Sequence, residues 1–231
     1  MAQVNFTNIN KLSFRTNEAY KALRTNIQFC GNDIKSICIT SCLPNEGKSN
    51  VSFNLARSLA EFGKKVIFID ADLRKSVLVG KYKPDQAVIG LSHYLSGQNS
   101  IDEILYETNI ENLDVIFTGP VPPNPAELLG SEIFGDLLKI FRKVYDYIII
   151  DTPPIGSVID SAIVAQKCDG VILVIEADAI SYKLAQRAIR QLVKTNSKVL
   201  GAVLNKYDYG SRYYGFESKK YKKYMNYYSE Y

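Results

Sequence analysis

A lysine-serine pair at the end of a short loop is the part of this sequence best suited to bind phosphate. The segment Ser41-Cys42-Leu43-Pro44-Asn45-Glu46-Gly47-Lys48-Ser49 follows an apolar run and opens a helical pattern. At such a junction, backbone N–H groups and a helix N-terminus face the phosphates, Lys48 reaches the β and γ oxygens, and Ser49 binds Mg²⁺. The predicted nucleotide contacts are Pro44, Asn45, Glu46, Gly47, Lys48, Ser49 and Asn50.

This loop departs from the usual phosphate-loop pattern at two positions. Cys42 stands at the first glycine position, and Asn45 stands where related loops often carry glycine. Asparagine tolerates left-handed backbone geometry better than most residues, so the second change is compatible with a tight loop. A chance Gly-Lys-Ser at a helix start is the alternative, but the strand-loop-helix context favours phosphate binding.

Aspartates follow two apolar runs at the point where each run ends. Residues 66–69 lead into Asp70 and Asp72, and residues 147–150 lead into Asp151. Ligands of an open parallel sheet bind outside the carboxyl ends of its strands, so these carboxylates should meet beside the phosphate loop. One such aspartate is often only a helix cap, but two strands with the same ending predict a site for Mg²⁺ and a γ-phosphate.

Tyrosines crowd the C-terminal end of the chain. Nine of the sixteen fall within residues 207–231, a segment with few aliphatic residues to bury them. We therefore predict a flexible tail over residues 206–231 whose phenol hydroxyls are available as phosphoryl acceptors. Twenty flexible residues have a root-mean-square reach of roughly 25 Å, which is enough to reach a neighbouring copy of the chain.

The elements that must position these residues alternate between strand and helix patterns. Strand runs are predicted at residues 34–40, 66–69, 113–117, 147–150, 171–175 and 199–204. Helices are predicted at residues 15–30, 126–144 and 180–193, and from the phosphate loop through residue 59. Residues 76–110 are predicted to be irregular with short helical stretches. This order predicts an α/β fold, one domain over residues 1–205, with a mostly parallel sheet covered by helices on both faces.

Composition excludes several classes of function. The chain has 231 residues, 46% of them hydrophobic, and its net charge of +4 is too mild to argue for nucleic acid. No apolar run approaches the ~20 residues of a spanning helix, so membrane association is expected to need a partner or a surface contact. The four cysteines lack metal-ligand spacing and favour a cytosolic protein, and a single histidine, His93, excludes histidine-based catalysis.

The sequence resembles the bacterial tyrosine kinases of capsule and exopolysaccharide synthesis. The matching pieces are Pro44-Asn-Glu-Gly-Lys-Ser49 (Walker A), Ile69-Asp-Ala-Asp-Leu-Arg74 (the family's Walker A′) and Ile150-Asp-Thr-Pro-Pro154 (Walker B). Residues 90–97, 123–129 and 204–205 and the terminal tyrosine cluster extend the resemblance over nearly the whole chain. It implies a P-loop NTPase fold and, since no span is present, the Gram-positive form, in which kinase and membrane activator are separate chains.

The resemblance also implies roles for single residues. Lys48 would bind phosphates, Ser49, Asp72 and Asp151 would hold Mg²⁺, and Asp70 would accept the tyrosine proton. Asn205 would read the adenine through its amide, although a simple turn residue at the end of a strand is an equal alternative. The family assembles as a ring through an N-terminal motif, to which Glu18, Lys21 and Arg24 correspond. Lys21 replaces the family's arginine and cannot make a bidentate contact, and a solvated charged face is the alternative interpretation.

The expected activity is phosphoryl transfer from ATP to tyrosine, in trans, to the chain's own tail. The expected acceptors are Tyr213, Tyr214, Tyr221, Tyr224, Tyr227, Tyr228 and Tyr231. Expected partners are a transmembrane activator, other copies of the chain in a ring, a cognate tyrosine phosphatase, and polysaccharide-pathway enzymes as substrates. The protein would then lie in the cytoplasm, at the inner face of the plasma membrane.

Two other functions share some of these features. A switch ATPase of the septum-placement or plasmid-partition type uses the same class of phosphate loop, and the lysines and tyrosines of residues 219–228 could lie on an anionic bilayer. Such proteins usually carry a signature lysine where this chain has Leu43, and they rarely show a tyrosine cluster. A nucleic-acid binder that stacks bases on tyrosines is the third interpretation, and the mixed charge of the chain argues against it.

Overall fold

An eight-stranded sheet forms the centre of the computed structural model, which describes residues 2–9 and 11–207. Its strands are β1 (Ala2–Val4), β2 (Ser36–Ser41), β3 (Val66–Asp70), β4 (Tyr106–Thr108), β5 (Leu113–Ile116), β6 (Tyr147–Asp151), β7 (Gly170–Glu176) and β8 (Val199–Asn205). Their order is β1-β4-β5-β3-β6-β2-β7-β8, and in this part of the chain every neighbouring pair except β4–β5 is parallel. The seven tyrosines predicted as acceptors lie outside the described residues.

Helices cover both faces of this sheet. They are α1 (Phe14–Phe29), α2 (Lys48–Glu61), α3 (Leu78–Tyr82), α4 (Leu91–Leu95), α5 (Ile101–Ile104), α6 (Pro125–Gly130), α7 (Glu132–Val144), α8 (Asp160–Ala165) and α9 (Tyr182–Lys194). Successive side chains of a strand point to opposite faces, so Ile37 and Ile39 of β2 pack under α1 to α3 while Cys38 packs under α4 to α9. The predicted α/β fold is confirmed. Among the described residues, no helix has the length and apolarity needed to traverse a bilayer.

The prediction of one continuous helix over residues 126–144 is wrong. The structure has two helices there, α6 and α7, separated at Ser131. Ser131 has extended backbone angles (φ −60°, ψ 160°), which end the first helix. Its hydroxyl accepts the N–H of Phe134 at 3.4 Å and so caps the second. The apolar period runs across the break, which is why the sequence pattern hides it.

Three short elements were not predicted. Strands β1 and β4 have three residues each, too few to show a period, and they pair with each other at one edge of the sheet. Helix α8 has six residues and follows a proline-rich loop. Residues 76–110, predicted to be irregular with short helical stretches, contain α3, α4 and α5 together with β4.

The three strands that matter most for function are neighbours at the centre of the sheet. Strand β6 lies between β3 and β2, and all three run parallel. In this register Asp70 lies opposite Asp151, and Asp151 lies opposite Ile39. The carboxyl ends of β3 and β6 and the loop after β2 therefore meet at one edge of the sheet.

Candidate functional site

The phosphate loop turns on two residues with left-handed backbone geometry, Asn45 (φ 68°) and Gly47 (φ 86°). The backbone angle of Gly47 favours glycine, and a Cβ there would lie 2.2 Å from Nδ2 of Asn205 and would displace that amide. Helix α2 begins at Lys48 with no side-chain cap. The N–H groups of Lys48 and Ser49 are therefore available to an anion in front of the loop, whereas that of Asn50 donates to the carbonyl of Gly47 at 3.1 Å.

Lys48 lies between two carboxylates from different strand ends. Its Nζ is 3.1 Å from Oδ2 of Asp72 and 3.5 Å from Oδ2 of Asp151, and it also approaches the hydroxyl of Ser49 at 3.2 Å. The side chain of Lys48 is only 11% exposed. Burial by itself would lower the pKa of Lys48, but Asp151 and Asp72 together raise the pKa above its usual value, so the ammonium stays charged.

Asp70 lies at the end of β3 and is almost fully buried. Its Oδ2 accepts the hydroxyl of Ser76, and its Oδ1 accepts the N–H of Asp72 at 3.3 Å. Burial, reinforced by the charge of Asp151, raises the pKa of Asp70 to about 8. An ionised Asp70 is therefore a much stronger base than an ordinary carboxylate. Ser76, which holds it, was not predicted because nothing in the sequence marks a serine six residues downstream.

Asp151 has a buried acceptor atom with no clear hydrogen-bond partner in the described part of the chain. Its Oδ1 makes no hydrogen bond of good geometry with the described residues, although the hydroxyls of Ser49 and Ser52 lie near enough to this carboxylate to lower its pKa. Burial raises the pKa of Asp151, and the ammonium of Lys48 opposes that rise. Within residues 2–9 and 11–207, no three His, Cys, Asp or Glu side chains are grouped to hold a metal by themselves. Mg²⁺ usually combines one or two carboxylates with phosphate oxygens and water, so the donors present fit a magnesium ion shared with a nucleotide.

Three side chains predicted to bind the nucleotide make their contacts within the protein. The buried carboxylate of Glu46 accepts the N–H of Leu43 at 2.6 Å, and the amide of Asn205 donates to the carbonyl of Glu46 at 2.9 Å. The side-chain oxygen of Asn50 accepts Nζ of Lys81 at 2.7 Å. Asn205 therefore holds the backbone of the phosphate loop. Neither predicted role for Asn205, adenine recognition or a simple turn residue, included this contact. Pro44 and Asn45 are exposed at the front of the loop.

A bidentate ion pair outside the predicted set anchors the segment after β3. Nε and Nη2 of Arg74 bond the two carboxylate oxygens of Asp160 at 2.7 and 2.9 Å. Asp160 is completely buried at the start of α8. Because Arg74 follows Asp72 by two residues, this pair fixes the segment that carries both Asp70 and Asp72. The partners are 86 residues apart, so no local pattern could reveal them.

Arg74→Ala should lower the free energy of unfolding by about 2 kcal/mol and Tm by about 4–8 °C. The reason is that a fully buried carboxylate loses its cation, and the partial exposure of Arg74 keeps the cost below that of a wholly buried pair. Adding Asp160→Asn to Arg74→Ala should recover part of the loss, since it removes the unpaired charge. Thermal unfolding measures the stability of the single and the double variant, and Arg187→Ala, on the exposed face of α9, is the control. A double variant less stable than Arg74→Ala would contradict this account.

The residues predicted to join subunits into a ring make contacts within their own chain. Lys21 and Glu18, each about half exposed, form an ion pair at 2.7 Å along α1. Nη1 of Arg24 donates to the carbonyl of Ser58 at 2.9 Å, and its guanidinium lies 4.0 Å from the ring centre of Phe62. Glu18 and Lys21 thus offer charge at the surface, while Arg24 joins α1 to α2.

Comparison with known proteins gives consistent matches. The sequence profile of the family described as "AAA domain" matches residues 34–208. The tyrosine-protein kinase CpsD of Streptococcus agalactiae serotype III is 45% identical over 201 residues, which are 87% of this chain and 87% of that protein. The crystal structure of the chimerical protein CapA2B2 has a TM-score of 0.81 at 29% identity, over 90% of this chain and 94% of that one. The kinase domain of the Escherichia coli tyrosine kinase ETK has a TM-score of 0.79 at 33% identity, over 87% and 80%.

Proposed function

This chain belongs to the bacterial tyrosine-kinase family that its motifs resemble, and we propose that it phosphorylates tyrosines in the C-terminal segment of a second copy of itself. It is a protein-tyrosine kinase with a nucleotide-binding P-loop fold. The proposed process is control of capsular or extracellular polysaccharide synthesis and export. The main support is the meeting of Lys48 with Asp70, Asp72 and Asp151 at one edge of the sheet.

The proposed phosphoryl donor is ATP with Mg²⁺. Lys48 and the N–H groups of the phosphate loop would bind the phosphate oxygens. The hydroxyl of Ser49 and the carboxylates of Asp72 and Asp151 would hold the metal. When bound, magnesium would neutralise part of the negative charge of the triphosphate.

Asp70 is the proposed base for the acceptor tyrosine. The phenol oxygen forms a bond to the γ-phosphorus as its proton moves to the carboxylate of Asp70, and the bond from phosphorus to the bridging oxygen breaks to release ADP. A pKa of about 8 makes the ionised Asp70 better matched to a phenol than an ordinary aspartate would be. The hydroxyl of Ser76 and the N–H of Asp72 hold this carboxylate in place.

The proposed assembly is a ring formed through Glu18, Lys21 and Arg24 of α1. The exposed positions of Glu18 and Lys21 support this, as does membership of the family. The cytoplasmic end of a transmembrane adaptor would activate the ring at the inner face of the plasma membrane. A cognate phosphatase would remove the label, and polysaccharide-pathway enzymes would be further substrates.

Incubation with ATP and Mg²⁺, followed by mapping of the modified residues, tests the proposal. We expect weak phosphotyrosine formation alone and strong formation with a peptide from the adaptor's cytoplasmic end. The label should fall on Tyr213, Tyr214, Tyr221, Tyr224, Tyr227, Tyr228 and Tyr231. A variant with phenylalanine at all seven should lose self-labelling and keep ATP binding. Liposome binding driven by ATP without any phosphotyrosine would instead indicate a switch ATPase.

Mixing two variants separates transfer in trans from transfer within one chain. Lys48→Met keeps the tyrosines but lacks the proposed donor site, and the seven-phenylalanine variant keeps the site but lacks the acceptors. Labelled protein should appear in the mixture, on the Lys48→Met chain, although neither variant labels itself. Within an assembly, the acceptor segment of a neighbouring copy has an effective concentration on the order of millimolar. Dilution should therefore slow labelling only when it separates the copies. An unlabelled mixture would rule out transfer in trans.

A further inference from the structure

The end of β8 is connected to the phosphate loop by a lysine that the sequence did not single out. Nζ of Lys206 donates to the carbonyl of Asn45 at 2.9 Å and to Oε2 of Glu176 at 2.8 Å. One residue earlier, Nδ2 of Asn205 donates to the carbonyl of Glu46 at 2.9 Å. Two consecutive carbonyls of the loop are thus held by two consecutive residues at the strand end.

Glu176, at the end of β7, completes the network. Its N–H donates to Oε1 of Glu46 at 3.3 Å, and its carboxylate pairs with Lys206. The N–H of Ala177 donates to the carbonyl of Asn205 at 2.9 Å. The loop, the end of β7 and the end of β8 therefore form one hydrogen-bonded unit.

These bonds determine the direction of groups that face the nucleotide. The peptide unit is planar and trans, so the carbonyl of one residue and the N–H of the next point in opposite directions. Holding the carbonyl of Asn45 fixes the N–H of Glu46, and holding the carbonyl of Glu46 fixes the N–H of Gly47. Because Asn45 and Gly47 have positive φ, the loop cannot rely on regular helix or strand bonds to keep this orientation.

We propose that Lys206, supported by Glu176, is a positioning residue for the phosphate loop, so that nucleotide affinity depends on the strand end at which the C-terminal segment begins. This inference rests on the proposed function only in requiring that the loop bind ATP. Lys206 acts through the backbone of Asn45. Its ammonium lies on the opposite side of that peptide from the N–H of Glu46.

Lys206→Met should raise the Kd for ATP about fivefold, measured by titration without any transfer reaction. The labelling rate at saturating ATP should change less than twofold, because the groups around Asp70 are untouched. Lys206→Arg, which keeps donors and charge, should restore most of the affinity. Glu176→Gln added to Lys206→Met should cost nothing further, since the carboxylate of Glu176 acts on the loop through Lys206.

Lys198→Met, at the other end of β8, is the matched control and should leave the Kd unchanged. An unchanged Kd in Lys206→Met, or a failure of Lys206→Arg to restore a raised Kd, would overturn the inference. A slower reaction at saturating ATP with normal affinity would also overturn it. If the unmodified protein binds ATP but forms no phosphotyrosine, the proposed function fails while the effect of Lys206 on affinity is still measured.

Discussion

Replacing Lys48 with Met should lower tyrosine labelling roughly 10²–10³-fold. The ammonium of Lys48 is the cation between Asp72 and Asp151, at 3.1 and 3.5 Å. Without it, magnesium alone would offset the charge of the two carboxylates and of the incoming triphosphate. The negative charge that develops on the transferred phosphoryl group would also lose the hydrogen bond and charge that Lys48 supplies. Initial rates of phosphotyrosine formation at saturating ATP and adaptor peptide measure the effect.

Two further variants distinguish lost chemistry from a lost fold. Lys48→Arg keeps the positive charge and should keep the ion pairs, yet its planar group cannot occupy the position of a compact ammonium, so labelling should remain low. Lys139→Met, on the exposed face of α7, is the control for removing a lysine. Circular dichroism and thermal unfolding report the fold of each. Labelling by Lys48→Met above a tenth of the normal rate would refute the assigned donor site.

Asp70→Asn should lower labelling by roughly 10²–10³-fold and should also stabilise the nucleotide-free protein at alkaline pH. In the unfolded chain, Asp70 loses its proton near its usual pKa of 3.8, whereas in the folded protein its pKa is about 8. Between these values the folded state holds a proton that the unfolded state has released, so stability falls as pH rises from about 4 to about 8. Asparagine is neutral at every pH, so the variant does not lose stability in this way.

Thermal unfolding at two pH values tests the sign of this linkage. The Tm of Asp70→Asn should match that of the unmodified protein near pH 4 and exceed it by roughly 5 °C or more at pH 8. Asp102→Asn, an exposed aspartate on α5, should show no such difference. A variant that is less stable than the unmodified protein at pH 8 would mean that Asp70 is ionised and well paired in the folded state.

The central residues of the site could be predicted because simple geometry brings them together. Lys48, Asp70 and Asp151 each stand at the end of a strand or of the loop after one, and parallel strands present those ends at a common edge. Ser76 and Asp160 could not be predicted. Ser76 reaches Asp70 through the particular path of a loop, and Asp160 meets its arginine across 86 residues.

The central strands of the fold could be predicted, whereas its short strands and one helix boundary could not. Buried strands such as β3 and β6 are continuous apolar runs, which a sequence displays directly. Strands β1 and β4 have three residues each, and only their pairing in the sheet identifies them: β1 pairs with β4, and β4 also pairs with β5. The break at Ser131 depends on one residue's backbone angles, which the apolar period on either side does not record.

Arg24 has a consequence for how copies of the chain would associate. Its guanidinium already serves the carbonyl of Ser58 and the ring of Phe62, both belonging to α2 or its end. A neighbouring copy that pulled Arg24 away from α2 would exchange one set of contacts for another. The net gain would then be the difference between the two sets of contacts, and a small difference would favour subunits that come apart readily over a permanent assembly.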